Sequence, residues 1–194
     1  MLTRGGAVAL VLCLASGGAA FADEPFRLEE AVDAPDWLTL KGETRARYES
    51  LEGQFRAGRE GGDQLLLFRS LLLAEADAGP VSFGIELQDS RTYLGDEGTP
   101  LSASIANPLD ILQVYARVDE LPGLLGDGSR TDLTLGRQTV SIGSKRQIER
   151  VDFANVIKSY TGAYARSESA RGDELHLLYV VPTARFPNRR PGLD

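Results

Sequence analysis

The sequence has one cysteine, Cys13, and one histidine, His176, among its 194 residues. A single thiol cannot form a disulfide within the chain, and one imidazole does not supply the ligands of an ordinary zinc site. No Gly-x-Ser-x-Gly elbow precedes His176, and no calcium-loop or phosphate-loop spacing is present. We therefore expect no catalytic residue, no metal site and no cofactor, and the protein is not expected to be an enzyme.

Long hydrophobic runs are missing from the chain after residue 22. A membrane-spanning helix needs about 20 mostly apolar residues in a row, and no later stretch approaches that length. Any residence in a membrane must therefore come from strands. The formal net charge is −7, and no part of the chain is basic enough to indicate nucleic-acid binding.

The first 22 residues have the pattern of a secretory signal peptide. Arg4 precedes a short apolar run, and Ala20-Phe21-Ala22 is a small-x-small cleavage site. Cleavage after Ala22 would remove Cys13 and leave a mature chain without thiols, which suits Sec-type export through the periplasm. Lipoprotein processing at Cys13 is a less favoured alternative, because more apolar residues follow it.

Residues 37–49 alternate between apolar and polar side chains, which is typical of a strand between two environments. The apolar side has an aromatic residue near each end, Trp37 and Tyr48, and the other side has five full charges. The length suits the roughly 9–11 residues of a tilted strand that crosses a hydrocarbon layer. The pattern favours a membrane wall, with an edge strand of a soluble sandwich as the alternative.

Further segments have strand-like patterns, separated by stretches rich in glycine, proline and charge. They are residues 64–77, 81–91, 109–119, 131–140, 159–167 and 174–181. Leucine occurs on both sides of the first of them, so a buried helix over 65–76 is an alternative there. At 131–140, Arg137 falls on the same side of the strand as Leu133 and Leu135, which interrupts the alternation. A bulge at Gly136 would restore it.

The connections between these segments are alternately long and short, as in outer-membrane barrels, which places the amino terminus in the periplasm. The predicted fold is all-β, an antiparallel up-and-down transmembrane β-barrel. The chain would supply about seven strands of an incomplete barrel, because an open wall in lipid leaves backbone groups unpaired. The expected organisation is a signal peptide at 1–22, a periplasmic leader at 23–36 and the amino-terminal part of a longer barrel at 37–194.

An ordered set of short motifs resembles the alginate export family of outer-membrane proteins. The motifs are Trp-Leu-x-Leu-x-Gly-x-x-Arg-x-Arg-Tyr at 37–48, Ile-Glu-Leu-Gln-Asp-Ser-Arg at 85–91, Leu-Gln-Val-Tyr-Ala at 112–116, Gly-Arg-Gln at 136–138, Gly143, Arg146, Asp-Phe at 152–153 and Ser-Tyr-Thr-Gly at 159–162. The resemblance implies a monomeric barrel in the outer membrane of a Gram-negative cell. It also implies a lumen whose arginines attract an anionic polysaccharide.

A polyuronate carries one carboxylate per sugar, so a conduit for it needs positive groups spaced along the wall. Strand parity places Lys41, Arg45, Arg47, Arg69, Arg117 and Tyr115 on the pore side, and we expect Arg91, Arg137 and Arg146 at the outer part of the pore or on an infolded loop. The alternative is that the arginines pair with carboxylates of neighbouring strands and only stiffen the wall. Tyr115 is a candidate for packing against a sugar ring, with a wall-filling role as its alternative.

The expected function is passive passage of an anionic, alginate-like polysaccharide through an arginine-lined channel. A general anion- or solute-conducting porin is one alternative, and a soluble periplasmic sugar-binding β-sandwich is another. The expected partners are the polysaccharide or small anionic solutes, outer-membrane lipid and periplasmic proteins of an export complex, but no nucleic acid.

Overall fold

The part of the chain that the structure describes consists almost entirely of strands. The computed structural model describes residues 8–12, 28–52, 62–95, 104–144 and 148–184. The strands are β1 (Val8–Leu12), β2 (Leu38–Glu52), β3 (Gly62–Ala78), β4 (Val81–Tyr93), β5 (Asn107–Pro122), β6 (Arg130–Gln138), β7 (Tyr160–Glu168) and β8 (Glu174–Pro182), and one short helix, α1 (Leu28–Ala31), precedes β2. Within the described residues, no helix has the length and apolar character that crossing a membrane requires.

All these strands form one antiparallel sheet in sequence order, from β1 to β8. The seven strands from Leu38 onward confirm the predicted all-β, up-and-down architecture, and the open sheet is consistent with part of a barrel. β1 lies within the predicted signal peptide and pairs with residues 46–50 of β2. The rest of that peptide and the first part of the predicted leader lie outside the described residues.

β3 is a strand and not the alternative helix. Each of its residues pairs with β2 or β4. Its leucines occupy both faces: Leu67 is buried on one face, whereas Leu72 is exposed on the other. The β-sandwich alternative does not fit, since the described strands belong to one sheet and no second sheet packs on it.

The connections alternate in length, as the sequence predicts. Those at one end of the sheet span 53–61, 94–106 and 139–159, whereas those at the other span 79–80, 123–129 and 169–173. The tightest turn depends on Gly79, whose φ of 74° lies in the left-handed region that glycine adopts without strain.

The two faces of the sheet have different chemistry. On one face, which we call the apolar face, large hydrophobic side chains are exposed along neighbouring strands. They are Leu72, Phe83, Ile85, Ile111, Val114, Leu135, Leu177, Tyr179 and Val181. Register places Ala74, Ile85 and Val114 side by side in its middle. An exposed apolar area of this extent marks a contact surface for lipid or protein.

The opposite face, which we call the polar face, has most of the charged strand residues and a small core beneath a connector. The predicted bulge at Gly136 is wrong, because Gly136 pairs directly with Tyr115 and Gly162. The register shifts instead in the pairing of β4 with β5, and in the pairing of β5 with β6 between Val118 and Leu121. Near the first of these shifts, Leu112 turns inward and is buried.

Candidate functional site

The connector between β6 and β7 folds back over the polar face. We call its residues 148–159 the infolded connector. Ile157 is fully buried and joins a small core with Leu71 and Leu112. Its backbone N–H donates to Oε1 of Gln88 at 2.8 Å. Strand side chains that would otherwise face solvent are therefore covered by this segment.

Asn155 fixes the infolded connector to the strand ends. Its side-chain amide donates to the backbone carbonyls of Ile105 at 2.8 Å and of Phe68 at 3.2 Å. In return, Ser90 Oγ donates to the carbonyl of Asn155 at 2.6 Å. Both Asn155 and Ser90 are buried, so these bonds are shielded from competing water.

Three arginines of β2 and β3 hold the tip of the connector, residues 152–154. Arg45 donates to all three tip carbonyls, at 2.7, 3.2 and 2.9 Å. Arg69 donates to the first and third, at 2.7 and 2.8 Å, and Arg47 to the second at 2.6 Å. A guanidinium has five N–H donors in a planar fork, which allows it to bond several carbonyls at once. These three residues lie together on the polar face, and each directs at least one Nη donor to the connector.

The carboxylate partners of the three arginines differ. Arg69 forms an ion pair with Glu43 at 2.5 Å, and Arg47 forms one with Glu49 at 2.9 Å. Among the described residues, Arg45 has only the carbonyl partners of the connector tip. It forms no direct ion pair with a described carboxylate, although those of Glu43 and Asp152 are close enough to interact with its charge. Carbonyl oxygens bond a guanidinium without cancelling its charge, so Arg45 stays cationic on this face.

Arg150 joins the base of the connector to the sheet. Its Nη1 and Nη2 donate to the two carboxylate oxygens of Glu86, at 2.9 and 2.6 Å. Glu86 is 4% exposed and also accepts a bond from Gln113 Nε2 at 2.5 Å. Burial alone would lower the pKa of Arg150, but the hydrogen bond and charge of Glu86, together with Asp152, raise it above its usual value. This two-pronged pair is a strong contact of the connector.

Arg150 was not among the predicted site residues. Strand alternation does not predict which way the side chain of a connector residue points. The contact between Arg150 and Glu86 is therefore visible only in the structure. The sequence places Glu86 on the polar side of a cleanly alternating strand, and its burial appears only in the structure. Such a buried carboxylate needs a partner.

Tyr115 and Arg117 lie on the polar face nearer the short turns. The ring of Tyr115 lies against Gly84, where an added Cβ would come within 2.3 Å of it, and its hydroxyl donates to Glu75. Arg117 lies 3.4 Å from Glu75 and 2.8 Å from Asp119. Tyr115 therefore fills the wall over a glycine, and Arg117 pairs with one carboxylate of another strand, Glu75 of β3, and with Asp119 of its own strand.

Lys41 lies on the polar face of β2 and is exposed. No described carboxylate forms an ion pair with it. Lys41 and Arg45 are four residues apart on one strand face, about 13 Å at the usual rise per residue. Among the described lumen candidates, these two cations form no direct ion pair with a described carboxylate.

The remaining described candidates are Arg91 and Arg137, and Nε of Arg137 donates to Ser159 Oγ of the infolded connector at 3.1 Å. Arg91 was expected at the outer part of the pore or on an infolded loop; it pairs in register with Phe68 on the apolar face and bonds Asp89. Arg137 has the parity of the apolar face, and its guanidinium donates to Asp110 at 2.9 Å. Arg146 lies outside the described residues.

The comparisons with known proteins give one match. A family model described as alginate export matches residues 36–191. No curated protein and no solved structure matches the chain. The family comprises outer-membrane transport proteins and not enzymes. Since the match spans most of the chain, as the ordered motifs of the sequence predict, the protein belongs to the alginate export family.

Proposed function

We propose that the protein forms a passive outer-membrane channel for an anionic, alginate-like polysaccharide. The observation that carries this proposal is the contrast between the two faces: one exposes a band of large apolar side chains, and the other has charged residues and the infolded connector. Lipid would contact the apolar face, and the polar face would line a water-filled lumen. Membership of the alginate export family supports the outer-membrane location and the class of cargo.

The edges of the sheet support closure into a barrel. In the described residues, β8 pairs only with β7, and β2 has no strand partner beyond β3 before Ala46. In lipid, each unpaired backbone N–H or C=O costs several kcal/mol. We infer that further strands pair with these edges, and that removal of the signal peptide frees the whole outer edge of β2.

Within such a barrel, the infolded connector narrows the lumen at the depth of Arg45 and Arg69. Most arginines at this depth form ion pairs or bind the connector. Fewer guanidinium donors are therefore available to a ligand than in a wall of unpaired arginines. Lys41 and Arg45 form no direct ion pair with a described carboxylate, so their charge would raise the local concentration of a polyanion. Two weak, separated positive positions suit passage, because a polymer must be released after it is attracted.

Single-channel current in planar bilayers tests this function. Polyuronate added to one side is expected to produce transient blocks, whereas dextran of the same length produces fewer. Replacement of Lys41 and Arg45 by glutamine should lower the frequency of the polyuronate blocks several-fold at low salt, because attraction from a distance is electrostatic.

The matched control is Arg171→Gln, which removes a charge from the short turn between β7 and β8. It is expected to leave the block frequency close to that of the wild type. If polyuronate never alters the wild-type current while small anions pass, the protein is a general porin and the polysaccharide proposal is wrong.

A further inference from the structure

Phe153 is an aromatic residue exposed on the polar side of the sheet. Phe153 is 71% exposed. It lies in the infolded connector, whereas the exposed hydrophobic residues named above for the strands lie on the apolar face. The guanidinium carbon of Arg47 lies 4.5 Å from the centroid of the Phe153 ring and covers one side of it. Little of the ring is buried, so it contributes little to the packing of the connector.

The backbone at Phe153 is held by several hydrogen bonds. The carbonyl of Phe153 accepts bonds from Arg45 and Arg47, and the N–H of Ala154 donates to the carbonyl of Val151 at 3.0 Å. Val151 has a φ of 56°, a left-handed conformation that a β-branched residue rarely adopts. An exposed side chain on a tightly held, strained turn is typical of a preorganised binding element.

We propose that Phe153 is a stacking platform for the sugar rings of the transported polysaccharide. This inference rests on the proposed function and adds the contact that would recognise the sugar itself. One face of a pyranose ring carries C–H groups and packs on an aromatic ring, and such a contact lacks directional hydrogen bonds, so successive sugars can slide over it. Arg45 bonds the carbonyl of the same residue, so a uronate carboxylate and its ring would meet charge and aromatic surface together.

A fluorescent reporter tests the contact without transport. Trp37 is the only tryptophan, so the double variant Trp37→Phe, Phe153→Trp has a single indole at the proposed platform. Oligouronate is expected to change its emission in detergent, whereas polyglutamate, a polyanion without sugar rings, is not. An emission that responds equally to both polymers, or to neither, would overturn the stacking proposal.

Single-channel current tests the same contact during passage. Phe153→Leu keeps an apolar side chain but removes the aromatic ring, so polyuronate blocks should shorten roughly 3- to 10-fold. Blocks by polyglutamate should not change. Tyr179→Leu, an exposed aromatic on the apolar face, is the matched control and should leave both durations unaltered.

The two readouts separate this inference from the proposed function. In one outcome, polyuronate does not block the wild-type current, but oligouronate still changes the indole emission. That result contradicts passage but supports the platform. Wild-type blocks whose duration is unchanged in Phe153→Leu support passage and contradict the platform.

Discussion

Replacement of Arg150 by alanine is expected to release the base of the infolded connector and to destabilise the folded protein by about 3–5 kcal/mol. Glu86 is almost fully buried and receives both ends of the Arg150 guanidinium. Without that partner a buried carboxylate remains, and only Gln113 still donates to it. Urea unfolding in lipid vesicles measures the loss, and trypsin should cut faster after the exposed Lys158.

The matched control for this variant is an exposed pair of the same two residue types. Arg130 lies 3.1 Å from Glu120, and both side chains are about three-quarters exposed. Arg130→Ala should therefore cost less than about 1 kcal/mol. Equal losses in the two variants would show that the Arg150–Glu86 pair does not hold the connector. The double variant Arg150→Ala, Glu86→Ala should recover part of the loss, since no buried charge is then left unpaired.

Replacement of Ile85 by arginine is expected to cost about 2–4 kcal/mol in a bilayer, because the apolar face would then place a charge near the membrane centre. Ile85 is 41% exposed and lies between Ala74 and Val114. In water, the same exposed substitution would change stability by roughly 0.5 kcal/mol or less. Folding yield and urea unfolding in lipid vesicles measure the difference.

Thr39→Arg places the same charge on the polar face, opposite Glu75. It is expected to be tolerated, because that face meets water and the new guanidinium has a carboxylate nearby. If Thr39→Arg destabilises the protein as much as Ile85→Arg, the proposed orientation of the sheet in the membrane is wrong.

The strands and their two faces could be predicted from the sequence because both follow from a local pattern. The alternation in residues 37–49 assigns Arg45 and Arg47 to the same side as the structure does, and the Ala78-Gly79-Pro80 turn fixes the next hairpin. Arg91 was expected at the outer part of the pore or on an infolded loop, but β4 continues to Tyr93 and its alternation continues with it. Strict parity would have placed Arg91 on the apolar face.

The partners of the side chains could not be predicted, because they depend on contacts between distant parts of the chain. Arg45 bonds residue 152, which is 107 positions away, and no strand pattern indicates that a connector will fold back over it. Tyr115 lies over Gly84 because that neighbouring position has no side chain, a relation that only the register of β4 and β5 reveals. The sequence thus predicts which face of the sheet Arg45 occupies, but not which groups it contacts.

Cysteine labelling in lipid vesicles tests the central claim, that one face of the sheet is in lipid and the other in water. In a chain with Cys13→Ser, which has no other cysteine, Ile85→Cys and Lys41→Cys each introduce one thiol at a position exposed in the isolated chain. A membrane-impermeant maleimide should label Lys41→Cys readily and leave Ile85→Cys unreacted until urea unfolds the protein. Rapid labelling of both positions in the folded protein would contradict the account.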